Sequence, residues 1–135
     1  RLPRYIPYDG SMVRYDKKES QGQYWLKTVN NGEFSRDKYL AHLKLQEGGK
    51  VCVVSYSRIL MVKIYEMELE WQIKYEDIDD VLLDKQGIKI KYNSKKLGRI
   101  DIKEMFIPER EDRRFLYKKI AIAVNEYNNH CIMSL

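Results

Sequence analysis

A series of short apolar–polar alternations, closed by one long amphipathic segment, is what most limits how this chain folds. The clearest alternation runs over residues 67–75. Met67, Leu69, Trp71, Ile73 and Tyr75 occupy one parity, and Glu68, Glu70, Gln72 and Lys74 the other. Successive strand side chains point to opposite faces, so this pattern predicts a half-buried antiparallel strand with the five apolar residues on one side. The closing segment spans 108–128. Leu116, Ile120, Ala123, Val124 and Tyr127 recur there at helical spacing, and Pro108 suits a first turn.

Further strands fill the interval. Residues 39–45 alternate with Tyr39, Ala41, Leu43 and Leu45 inward, and a glycine hairpin at 47–50 follows. Residues 51–55 and 59–63 are nearly continuous apolar runs joined through Ser57 and Arg58. Residues 78–83 suit a strand by spacing. Residues 88–92 set Ile88, Ile90 and Tyr92 against Lys89 and Lys91, and 99–106 places Ile100 and Ile102 inward. Upstream, 1–14 reads as an extended lead-in with an Asp9–Gly10 turn signal. Asp16 and Glu19 stand at capping-box spacing before a helix over 17–30. Tyr24, Trp25, Thr28 and Val29 share one side of that helix, Gly22 weakens it slightly, and Gly32 is a natural stop.

Seven strands at intervals of roughly eight to twelve residues indicate a small barrel or sandwich. The expected class is mostly β with α. It is a pleckstrin-homology-like, seven-stranded barrel or sandwich of two near-orthogonal antiparallel sheets, capped by a C-terminal helix and preceded by an N-terminal one. Residues 1–38 form a lead-in and helix packing on the domain, and 39–135 the domain itself. On pattern alone, a lipocalin-like barrel of about eight strands and a five-stranded OB-fold stay open.

At 135 residues the chain suits one domain with a sizeable core. Hydrophobic residues at 44% and eleven tyrosines argue for a folded chain. No apolar run approaches the roughly 18 residues needed to cross a bilayer. The chain begins with Arg1 rather than Met, which reads as a fragment of a longer protein, monomeric as isolated. Two cysteines, Cys52 and Cys131, are too few for a disulfide framework and suit reducing cytosol. The net charge of +5 is a mild bias toward anionic partners.

The stretches RLPRYIPYDGSMVRYDKKESQG, NNGEFSRDKYLAHLKL and LEWQIKYEDI resemble the C-terminal end of the vacuolar protein sorting 13 family, a fungal member in particular. The resemblance rests on Arg1, Pro3, Arg4, Asp9, Gly10, Tyr15, Gly22, Tyr39, His42, Glu70 and Trp71, and covers nearly the whole chain. It implies a bridge-like lipid transfer protein that moves glycerolipids between organelle membranes at contact sites. Its C-terminal pleckstrin-homology-like domain would help dock that end on an acceptor membrane. The implied partners are an Arf-family small GTPase or a membrane-protein adaptor, with the endosome, vacuole or mitochondrion as the setting.

The residues themselves give no catalytic, cofactor or metal site. His42 and His130 have no nucleophile or carboxylate at motif spacing, and His130–Cys131 lacks a second ligand pair. Gly48–Gly49 lacks the Lys-Ser/Thr of a phosphate-binding loop. An inositol head-group pocket would need basic residues along the first two strands. Here Lys44 and Lys50 flank the glycine turn, but 51–54 supplies none, and Arg58 arrives only in the next turn. These three are weaker candidates for anionic lipid, beside the reading that they are ordinary surface positions.

The denser candidate is one hairpin carrying Lys89, Lys91, Lys95, Lys96 and Arg99. Near an anionic membrane each cation is worth about 1 kcal/mol. The competing reading is a solvated strand face that discourages aggregation. Arg110, Arg114 and Lys118 are spaced for salt bridges on the closing helix, and Trp25 and Tyr24 suit packing against the domain better than a membrane interface. Nucleic acid is not indicated, because no aromatic stacking platform accompanies the charges. The function expected is a non-enzymatic targeting and adaptor-binding module of a lipid-transfer rod, weakly attached to phosphoinositides or other anionic lipid. A structural coupling domain without its own ligand is the alternative, and a lipid-carrying barrel would require an apolar cavity.

Overall fold

The computed structural model describes residues 12–133, with side chains described over 19–129. The Asp9–Gly10 turn and the resemblance residues before 12 lie outside the described residues, as do the side chains of Tyr15, Asp16, His130 and Cys131. The chain order is α1 (Met12–Gly32), β1 (Tyr39–Lys44), β2 (Lys50–Ser55), β3 (Arg58–Lys63), β4 (Glu68–Lys74), a 3₁₀ turn (Tyr75–Asp77), β5 (Ile78–Leu83), β6 (Gly87–Ser94), β7 (Arg99–Phe106) and α2 (Arg110–Met133). Two antiparallel sheets result, one in the order β1-β2-β3-β4 and the other β5-β6-β7.

The apolar runs of β2 and β3 are continuous because both of their faces are covered. On the inner face, Cys52, Val54, Ile59 and Met61 join Ile88, Ile90 and Met105 of the second sheet. Leu116, Ile120 and Ala123 of α2 complete this core. On the outer face, Val51, Val53, Leu60 and Val62 form a second core with Trp25, Leu26 and Val29 of α1 and with Phe34. One buried leucine is worth about 1.5–3 kcal/mol, so the second core binds α1 to the sheet firmly.

Local geometry fits α1 to that place. Gly22 is buried, and a Cβ there would collide with the rings of Tyr39 and His42. The glycine is therefore a contact surface as well as a weak helix former. The last turn departs from helix at Val29, and Asn30 and Asn31 adopt left-handed backbone before Gly32. Asn30 then bonds to the sheet twice. Its N–H donates to the Met67 carbonyl at 3.1 Å, and its Oδ1 accepts the Leu69 N–H at 2.9 Å. Tyr24, expected on the packed side, is 58% exposed; Leu26 takes the buried place.

Two alternations are split between faces and a third faces the opposite way from that expected. In β4 the pairing with β3 slips between Met61 and Val62, where Trp71 opposes Met61 but Leu69 opposes Val62. Glu70 is the extra residue of this bulge. Trp71, Ile73 and Tyr75 consequently face the inner core, whereas Met67 and Leu69 face α1. A similar slip between Tyr39 and Ala41 turns Tyr39 toward α1 and Leu40 inward. In β7 the expected inward residues are wrong: Ile100 and Ile102 are 46% and 49% exposed. Met105 pairs with Ile88 in the core, and strand parity then sends Ile100, Ile102 and Phe106 outward.

Candidate functional site

The β6–β7 hairpin ends in a turn held by its own backbone. Ser94, nearly buried, accepts the Gly98 N–H on its carbonyl at 2.8 Å and the Leu97 N–H on its Oγ at 3.1 Å. Gly98 has φ of 67°, a conformation that glycine adopts at little cost. These contacts hold Lys95, Lys96 and Leu97 at the apex, with Arg99 opening the return strand.

The five cations of this hairpin divide into two groups. Lys89 lies 3.7 Å from Asp84 and 3.9 Å from Glu104, and Lys91 lies 3.8 Å from Asp79. Asp84 accepts the backbone N–H groups of Gln86 and Gly87, which hold its carboxyl below the usual range; Lys89 lowers it further. The carboxyl of Asp101 is also held low, first by the Ile102 N–H and then by the Tyr92 hydroxyl. At the apex, Lys95 is 3.7 Å from Asp77, but its side chain stays 74% exposed. Lys96 and Arg99 are exposed and make no ion pair among the described residues. Unbalanced positive charge therefore gathers at the tip rather than along the strand face.

The weaker candidates are engaged elsewhere. Lys50 pairs with Glu70 at 2.9 Å and lies 3.9 Å from Glu47; the bond to Glu70 raises its pKa. Lys44 stands 5.5 Å over the Trp25 ring. Arg58 donates to Gln72 at 2.8 Å and Ser57 at 3.1 Å, lies 3.7 Å from Asp37 and covers the Phe34 ring. Nor does the fold bring Lys50 to the basic tip. Its salt-bridge partner Glu47 lines a shallow cavity with Asp84 and Gln86, beside the start of β6. The tip follows the end of β6, roughly 20 Å further along at strand rise. Among the described residues, no group of three or more His, Cys, Asp or Glu is placed to hold a metal ion.

The sequence reading missed the outer face of the second sheet. Leu82, Ile100, Ile102 and Phe106 are all 45–50% exposed there. Lys91 stands between Asp80 and Ile102 across the strands, and Lys89 between Leu82 and Glu104. The signal available was Met105, the apolar residue of opposite parity to Ile100 and Ile102.

Four-stranded and three-stranded antiparallel sheets with a C-terminal helix in the core define a pleckstrin-homology-like domain. The fold is similar to a chain of the complex of human RhoA with the DH/PH fragment of PDZRHOGEF, with a TM-score of 0.57. That match covers 86% of this chain and 42% of the other at 14% identity, so the likeness is one of fold. The chain belongs to the VPS13 C-terminal family: the family model "Intermembrane lipid transfer protein VPS13, C-terminal" matches residues 1–123. It is 34% identical over 130 residues to the intermembrane lipid transfer protein VPS13 of Chaetomium thermophilum. That alignment covers 95% of this chain and 4% of the length of that relative.

Proposed function

We propose that this domain is a non-enzymatic targeting module at the C-terminal end of a bridge-like lipid transfer protein. It attaches that end to an acceptor membrane at an organelle contact site. The attachment joins a protein partner, of the Arf-family small GTPase or membrane-protein adaptor class, to weak contact with anionic lipid. Residues 39–135 form the module, and 1–38 join it to the rest of the chain. The carrying observation is the β6–β7 tip, where Lys95, Lys96 and Arg99 stand exposed on one turn, Lys95 beside Asp77, while Lys50 and Arg58 are engaged in ion pairs and Lys44, also exposed, stands over the Trp25 ring. Three such cations contribute on the order of 3 kcal/mol at an anionic surface, a weak anchor that needs a second attachment.

Sedimentation with phosphatidylserine vesicles tests the lipid half of this reading. The Lys95→Glu/Lys96→Glu double variant should lose at least about tenfold in binding, and unchanged sedimentation removes the tip from the argument. For the protein half, the chain should bind GTP-loaded Arf in preference to the GDP-loaded form; equal or absent binding counts against a GTPase partner. A structural coupling role is favoured by one observation, the second core that binds α1 to the first sheet. Membrane attachment of the isolated chain in cells would argue against that role acting alone.

A further inference from the structure

The apex of the β6–β7 hairpin is not only basic. Leu97 is 50% exposed at its summit, between Lys96 and Gly98, with Lys95 and Arg99 on either side. The Ser94 bonds and the left-handed Gly98 fix the turn that holds this leucine out. Apolar surface continues down the outer face of the sheet through Ile100 and Ile102, beside Lys91.

We propose that Leu97 is a membrane-inserting residue, seated among the acyl chains of an anionic leaflet while Lys95, Lys96 and Arg99 meet the head groups. This rests on the tip being the lipid contact, and adds that apolar insertion, beyond charge, supplies part of the attachment. The occupant is argued from shape and charge together. A single leucine on a convex turn needs a yielding surface to enter, and a ring of cations selects a negative one. Recognition of this kind reads surface charge and loose lipid packing, without the geometry of an inositol ring.

The test compares the 135-residue chain, Leu97→Ser, and Lys95→Glu/Lys96→Glu on phosphatidylcholine vesicles with and without phosphatidylserine, at low and high salt. Leu97→Ser should weaken partitioning to the anionic vesicles by about fivefold while keeping its salt dependence, as loss of part of a leucine's burial requires. Lys95→Glu/Lys96→Glu should lose the salt dependence itself. In Leu97→Trp, lipids brominated in the acyl chains should quench fluorescence beyond the level of the parent chain, which carries Trp25 and Trp71. If Leu97→Ser partitions like the parent while the double variant falls, the tip is purely electrostatic and insertion is refuted alone. If neither changes vesicle binding, the basic-tip reading falls with it. If Leu97→Ser instead impairs binding to an Arf protein and leaves vesicle binding intact, the leucine is a protein contact and the inference is overturned.

Discussion

Lys119 makes the stability of this domain rise as the solution turns mildly alkaline. It lies on α2 at 6% exposure, with its ammonium 5.5 Å from the Phe115 ring centroid. Burial pushes its pKa down from an ordinary 10.5 to about 8. Between those values the unfolded chain holds a proton that the folded one has released, so stability increases with pH across that window. Cys52 opposes it from higher up. Its thiol is buried in the inner core and pushed from 9.0 up to about 12, so the stability it contributes is complete well below pH 9.0 and lost progressively as pH rises through 9.0 toward 12. From pH 7 to pH 9, Lys119 alone adds about 1 kcal/mol, and Cys52 removes less than about half of that. Urea unfolding followed by tryptophan fluorescence at pH 7, 8 and 9 measures the balance. The parent chain should gain on the order of 1 kcal/mol, Cys52→Val somewhat more, and Lys119→Met should lose the gain. A flat or falling curve in the parent, or the same rise in Lys119→Met, refutes the assignment to a buried ammonium.

Substitutions at Asn30 and Asp37, each with a milder companion variant, probe how the lead-in is held. Asn30→Ala removes the acceptor for the Leu69 N–H and places a Cβ residue without amide chemistry in left-handed backbone; it should cost about 2–3 kcal/mol in urea unfolding, whereas Asn31→Gly, exposed and of the same backbone class, should cost little. Asp37→Ala removes the carboxylate that accepts the Ser55 and Ser57 hydroxyls, each at 2.6 Å, and faces Arg58; a loss of about 2–4 kcal/mol by the same measurement is expected, with Asp37→Asn intermediate.

Element order and type were legible because periodicity is a local property. The strand spans at 78–83 and 99–106 coincide with β5 and β7; the closing helix is present but runs Arg110–Met133, with Pro108 before its first turn, and α1 begins at Met12, ahead of the expected cap at Asp16. Facing was less legible. The alternation of β4 is unbroken in sequence, yet the bulge at Glu70 sends its two halves to different cores. That division needs α1 on the far side of the sheet, a partner more than 35 residues away in the chain. Similarly, Ile100 and Ile102 look like core residues until Met105 is seen paired with Ile88. Gly22 reads as a flaw in a helix until the rings of Tyr39 and His42 are placed against it.

The basic hairpin was visible as a cluster of five cations, but its electrostatics were not. Asp77, Asp79 and Asp84 precede the hairpin in sequence and come alongside it only when β5 pairs with β6. This pairing occupies the strand-face lysines and leaves the excess charge around Leu97. What the sequence by itself determined was the inventory: which segments are strands, where the helices lie, and which hairpin is basic. Tertiary structure decided which side of each strand is wet, which charges are already paired, and which apolar residues stand out in solvent. The reason is physical: backbone periodicity arises from neighbours in the chain, whereas burial and ion pairing arise from neighbours in space.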